Sequence, residues 1–280
     1  LLRKAIYTAS CKQDNLTIFT DSAVTKVSTS STGAQLEING SKQLRAQLII
    51  VADGRFSHTR SSLGIAATSH SIGRSVIVAN MQLEQEHDNI AYECFHYGRT
   101  LAILPLCNQQ VSVVITLATN RVQQLLEMSV QDFNQDIEQA FEQRLGPMQL
   151  VTQRYSYPLV MSYAEQFVGT KCALIGDAAV GMHPVTAHGF NFGIQGQDCL
   201  TGLIKNAHIS GQDIAASTLL QQYNAKHQRA TKPLYLATNA LVKLYTSEKV
   251  IAKCARKGLL RLGNIIRPAN RFLVRKLTKG

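Results

Sequence analysis

Two aspartates and one glycine-bearing turn carry the chemistry open to this sequence. Asp53-Gly54 ends the apolar run Leu48-Ile49-Ile50-Val51-Ala52, and Gly176-Asp177 ends the run in "KCALIGD", 171–177. In open α/β sheets, ligands bind at the carboxyl ends of the strands. A carboxylate there can accept hydrogen bonds from hydroxyls of the ribose or ribitol kind. Beyond Asp177, "GMHPVTAHGFNFGIQGQ" turns into a helix-like pattern near Gly189. The amides of Gly189, Phe190 and Asn191 are then unpaired donors at a helix N-terminus, which suits an electron-rich or anionic group. Gly189 lets a flat ring approach the backbone. Gly193 and Gly196 lower helix propensity and so mark close packing against a strand or ligand. The plainer reading is that Asp177 caps a turn and the glycines only make one. Two such corners at matching strand ends favour the ligand.

The elements that must position these residues follow from periodicity. Residues 16–52 read as β, with a Ser/Thr/Gly turn at 28–33 and an Asn39-Gly40 hairpin turn. The last run, 48–52, and the run at 171–177 are continuously apolar, as in parallel strands buried on both faces. Between them, "RSVIVANMQLE", "AYECFHYG", "TLAILPL" and "QVSVVITLA" predict an antiparallel meander over 74–118. "SVQDFNQDIEQAFEQRLG", 129–146, predicts a helix with Phe133, Ile137 and Phe141 on its packed face. "RYSYPLVMSYAEQFVGT" reads as a further strand and turn, and helix is expected from 216 to the end, with breaks near Pro233 and Pro268.

This order predicts an α/β fold. A Rossmann-like layer (1–72, returning at 161–215) carries an inserted, mostly antiparallel β domain (73–160) and a basic helical C-terminal region (216–280).

The chain's 280 residues, 45 % hydrophobic and 17 % charged, suit a globular protein with a sizeable core. No apolar run reaches the roughly 18 residues that span a bilayer, and no signal-peptide pattern opens the chain. Cys11, Cys94, Cys107, Cys172, Cys199 and Cys254 are scattered without a CxxC pair, which predicts small core residues in a reducing, cytoplasmic setting and no metal site. Residues 225–280 hold 14 Lys and Arg against one acid, Glu248, whereas residues 1–224 hold 15 against 17. So biased a tail either faces an anionic membrane, at its inner face, or is a solvated helical face. Nucleic acid is not expected, because no recognition module or aromatic interleaving accompanies the charge.

"DGRFSHTR", 53–60, resembles the DGxxSxxR motif of the flavoprotein aromatic hydroxylases, the para-hydroxybenzoate hydroxylase-like superfamily. "GDAAVGMHPVTAHGFNFGIQ" resembles that superfamily's Gly-Asp motif, with GDAA, a Pro and a G-[LF]-N turn in fixed order. The likeness covers essentially the whole chain and is closest to the ubiquinone-biosynthesis hydroxylases, whose basic C-terminal stretch also has a counterpart here. It implies an FAD- and NAD(P)H-dependent monooxygenase that uses O2 to hydroxylate an aromatic ring of a quinone precursor. Asp177 would bind the ribityl chain. Pro184, Gly189, Phe190 and Asn191 would lie at the flavin ring, and His188, in the same turn, would be either a ring contact or merely exposed. Gly176 would be cofactor-binding beside Asp177, and the Asp53-Gly54 corner would support the pyrophosphate region and NAD(P)H access. The meander would form the wall of the substrate pocket. The resemblance names no catalytic acid or base, and it does not make His183 catalytic, since Val180 stands where many members have His after GDAA.

The family's GxGxxG loop and following acidic residue are absent, so roughly a hundred residues of a complete enzyme are expected upstream. Two roles follow from that. One is an N-terminally truncated hydroxylase, in peripheral contact with the membrane and in complex with other ubiquinone-biosynthesis proteins. The other is a non-catalytic subunit acting in assembly or lipid binding.

Overall fold

A computed structural model describes residues 2–96, 98–183 and 189–246. Pro184 and His188, and the basic stretch from 247 onward with Cys254 and Pro268, lie outside the described residues. The rest divides into two compact units. One joins the residues up to Thr68 with those from Tyr163; the other is Ser69–Ser162.

The first unit opens with α1 (Leu2–Ser10), followed by β1 (Val24–Ser30), β2 (Gly33–Ile38) and β3 (Lys42–Ala46), which pair antiparallel in that order. The hairpin loop runs through Asn39, Gly40 and Ser41, between paired Ile38 and Lys42, and Asn39 and Gly40 take positive φ (51° and 72°) at its tight turn, where the Ser41 amide donates to the Ile38 carbonyl at 3.2 Å. "NLTIFT", read as strand, is a loop. Leu16, Ile18 and Phe19 are exposed there, so nothing rewards extended pairing. β4 (Ile49–Val51) and the short α2 (His58–Ser62) complete this leg.

The second unit is built on β5 (Ala67–Leu83), β6 (Tyr92–His96), β7 (Arg99–Pro105) and β8 (Gln110–Ala118). β6, β7 and β8 form a meander, but β5 lies beside β8 and not β6, with Ile77 opposite Ile115. The reason is burial. Val111, Val113, Ile115 and Leu117 alternate inward along β8, so it is shielded best as a central strand. α3 (Val122–Glu127) follows, which periodicity had not indicated, then α4 (Val130–Ala140). Ser129 caps α4 by accepting from the Asp132 amide, and Phe133, Ile137 and Phe141 bury fully against the sheet. α4 stops at Ala140, short of Gly146, because Glu142 and Gln143 take positive φ. β9 (Met148–Leu150) pairs with β5, and β10 (Tyr155–Ala164) returns the chain to the first unit.

There, β11 (Val168–Gly169) pairs antiparallel with β12 (Cys172–Leu174), and β12 pairs parallel with β4, Ala173 opposite Ile50. Cys172, Ala173 and Leu174 are fully buried, as a continuous apolar run predicts. β4 departs from that expectation. Ile49 and Val51 are buried but Ile50 is 47 % exposed, because among the described residues β4 is an edge strand, covered on one face only.

β13 (Val180–Gly181) precedes α5 (Gly189–Ile209) and α6 (Ser217–Thr246). α6 runs through Pro233 without the expected break. Pro233 and Arg229, whose carbonyl loses its helical donor, are both exposed, so water can take that bond. The Tyr223 hydroxyl donates to the Leu174 carbonyl at 2.7 Å and ties α6 to the end of β12. Among the described cysteines only Cys172 is buried, and burial pushes its thiol up to about 12; Cys11 and Cys107 are on the surface, contrary to the expectation of core positions.

Candidate functional site

The parallel pairing of β4 with β12 sets both Asp/Gly corners at the same sheet end. Val51 lies opposite Leu174, and the Ile175 amide donates to the Val51 carbonyl at 3.0 Å. The chain then leaves β12 through a 3-10 turn, Gly176–Ala178, and Gly176 takes φ +58°, a backbone open to glycine at little cost. α5 begins at Gly189 and passes close to that turn. A Cβ at Gly193 would stand 3.6 Å from the Cα of Gly176. A cleft of about 440 Å3 opens here, lined by Asp177, Gly189, Phe190, Gly193, Ile194 and Gln197 among others.

The two aspartates have different partners. Asp53 faces α2: it accepts from the Ser57 hydroxyl and, at 3.0 Å, from the Thr59 amide. Burial works to raise this carboxyl, but the Ser57 and Thr59 hydrogen bonds outweigh it and hold Asp53 below the usual carboxylate range. Ser57 in turn caps α2 by accepting from the Arg60 amide at 2.9 Å. Gly54, at φ +92°, makes the turn that lets this happen. Asp177 lines the cleft and is paired with Arg55, whose Nε and Nη2 reach the same oxygen, Oδ2, at 3.0 and 2.6 Å.

Two arginines of the 53–60 segment, one of them the R of the DGxxSxxR motif, were given no role from the sequence. Arg55 is one. The other is Arg60, which is buried and donates to the Ala178 carbonyl at 2.9 Å and to the Arg55 carbonyl at 3.3 Å. Burial lowers its guanidinium, and the Asp53 charge partly offsets this. The signal lay in their position: two cations within seven residues of a strand-end aspartate, in a chain whose first 224 residues are otherwise near charge balance.

Gly189, Phe190 and Asn191 form the first turn of α5; Phe190 is 61 % exposed. Gly196 packs against α6, where a Cβ would stand 2.7 Å from His227 Nε2. A larger concavity, about 780 Å3, lies over β1 to β3, but Ser, Thr and Gln dominate its lining and it holds no carboxylate. Among the described residues no cluster of His, Cys, Asp and Glu could hold a metal ion. No described helix is long and apolar enough to cross a membrane.

A family model described as "FAD binding domain" matches residues 11–235. A ubiquinone hydroxylase, UbiM, of Neisseria meningitidis is 43 % identical over 277 residues, covering 99 % of this chain and 60 % of its own. A ubiquinone hydroxylase, UbiL, of Rhodospirillum rubrum is 32 % identical over 277 residues, covering 98 % of this chain and 64 % of its own. The chain therefore spans less than two thirds of the length of these relatives. The crystal structure of p-nitrophenol 4-monooxygenase PnpA from Pseudomonas putida superposes with a TM-score of 0.71 at 17 % identity, over 92 % of this chain and 65 % of that one, a likeness of fold.

Proposed function

This chain belongs to the FAD binding domain family, and from that premise we propose that it is the greater part of an FAD-dependent monooxygenase that hydroxylates the aromatic ring of a ubiquinone precursor with NAD(P)H and O2. The observation that carries the reading is the Asp177 corner. A carboxylate, a positive-φ glycine turn and a helix N-terminus converge on one cleft at the carboxyl ends of β4 and β12. Its volume lies within the range of small-molecule sites, about 300–1,000 Å3. The residues present fit a flavin. Asp177 supplies an acceptor for ribityl hydroxyls, and Gly189 and Gly193 leave the helix surface bare toward the crevice.

FAD held here would supply the redox chemistry between NAD(P)H and O2. The protein's part is to bind, orient and stabilise charge. The amides of Gly189, Phe190 and Asn191, at the positive end of α5, would be donors for an electron-rich group of the cofactor and would favour negative charge there. Asp53 braces the turn that carries Arg55 and Arg60, and Gly54 gives that turn its shape. Pro184 and His188 are proposed at the ring from the motif alone.

The antiparallel unit, Ser69–Ser162, is assigned to substrate recognition. The basic residues of 225–280 are assigned to peripheral contact with the inner face of the membrane, where a prenylated substrate resides, in the company of other ubiquinone-biosynthesis proteins.

The test is flavin retention. Full-length protein is incubated with FAD, desalted and scanned for flavin absorbance, then assayed for NAD(P)H oxidation with quinone precursors. Retained flavin that Asp177→Ala abolishes supports the reading. No retained flavin in the wild type overturns it and leaves the assembly role.

A further inference from the structure

We propose that Arg55 is a positioning residue for cofactor binding: it grips one oxygen of Asp177 and so presents the other to the ligand in the cleft. The proposal rests on the flavin reading of that cleft. Arg55 Nε and Nη2 both donate to Oδ2, at 3.0 and 2.6 Å. Among the described residues Oδ1 accepts no hydrogen bond, and Asp177 itself lines the cleft. Two arms of one planar guanidinium on Oδ2 anchor that oxygen more firmly than one contact would, and leave Oδ1 as the acceptor for a ligand.

The neighbouring arginine makes the arrangement rigid. Arg60 is buried and holds both the Ala178 carbonyl, next to Asp177, and the Arg55 carbonyl. The main chain at both ends of the ion pair is thus set before any ligand arrives. The pair itself is partly open, with side chains 26 % and 34 % exposed. Open pairs contribute little to folding. Its worth lies in preorganisation: a hydroxyl donor meets an acceptor already aimed, with less ordering left to be done on binding. Arg60 therefore acts on the fold and Arg55 on the carboxylate.

The experiment measures FAD affinity of the full-length protein by flavin fluorescence, with a melting temperature for every variant. The set is the wild type, R55Q, R55K, D177N and R55Q/D177N. Loss of the grip is expected to weaken FAD binding about tenfold in R55Q. R55K, which keeps the charge but not the fork, is expected between R55Q and the wild type. The double variant is expected to bind no worse than D177N alone, because Arg55 acts through Asp177. Melting temperatures of R55Q and R55K should stay near the wild type.

Equal affinity in R55Q and a wild type that binds FAD overturns the role of Arg55 while leaving the flavin site intact. So does a double variant whose loss is the product of the two single losses, or an R55Q defect that R55K does not relieve and that tracks a fall in melting temperature. A wild type with no affinity for FAD overturns the flavin reading itself.

Discussion

Asp53 and Asp177 look alike in the sequence, each a strand-end aspartate next to glycine, yet they face different work. That both corners lie at matching ends of parallel strands was legible from two apolar runs ending in Asp/Gly; that the strands are direct neighbours came from the structure. The division of labour was not, because it depends on which direction each carboxylate takes. Asp53 turns toward α2 and accepts from Ser57 and Thr59, whereas Asp177 stays at the cleft with Arg55. Asp53→Ala is therefore expected to lower stability by roughly 1 kcal/mol, as a lost N-terminal helix bond does, and to weaken FAD binding less than Asp177→Ala. Thermal melts beside FAD titrations of the two variants check the split. The sign with pH follows from the lowered Asp53 carboxyl. Its contribution is present above the unfolded aspartate range and is lost as pH falls through the folded value. Below the unfolded aspartate range, a wild-type melt should thus fall more steeply with pH than that of Asp53→Ala.

At the scale of elements, α5 is held between the Gly176 turn and α6, and its glycines record the two contacts. Their spacing announced close packing; the partners were hidden because nothing local says which helix returns to cover which face. At Gly196 a Cβ would come within 2.7 Å of His227 Nε2, and that ring is buried, stacked on Tyr223 with centroids 5.6 Å apart. The ring cannot swing aside, so Gly196→Ala is expected to destabilise by about 1–3 kcal/mol despite its gain in helix propensity. Gly202, on the same helix, meets nothing within 4 Å, and Gly202→Ala should stabilise by up to about 1 kcal/mol. Urea titrations of the two variants read both signs.

His227 adds a pH term to the same contact. Burial pushes its imidazole down to about 4, below the ordinary value of 6.5. Between those values the unfolded chain binds the extra proton and the native one does not. Stability is complete above 6.5 and falls as pH drops toward 4, by up to about 3 kcal/mol. Denaturation midpoints across that window should slope in the wild type and flatten in His227→Gln.

At the scale of the molecule, the insertion of an antiparallel unit between two visits to a parallel sheet was legible from the change of hydrophobic period. What stayed hidden was the pairing of β5 with β8, since an antiparallel register permits either neighbour until the buried face of each strand is known. The charge asymmetry was legible in full. It has a consequence for the whole protein, because the basic excess gathers in residues 225–280 while the rest is slightly acidic. Lys226, Arg229 and Lys232 on α6 are exposed at the start of that stretch. A juxtaposed anionic surface attracts each such cation by about 1 kcal/mol, within roughly a Debye length of 8 Å at physiological salt. Several together give binding that is strong at low ionic strength and collapses as salt rises. The full-length protein should therefore sediment with vesicles containing anionic lipid, release on addition of salt, and ignore vesicles of zwitterionic lipid alone. Removal of residues 247–280, which takes away 10 of the 14 cations of that region, should abolish the sedimentation. Salt-independent binding to both vesicle types would instead point to an apolar contact, and no binding to either would make the basic stretch a solvated face.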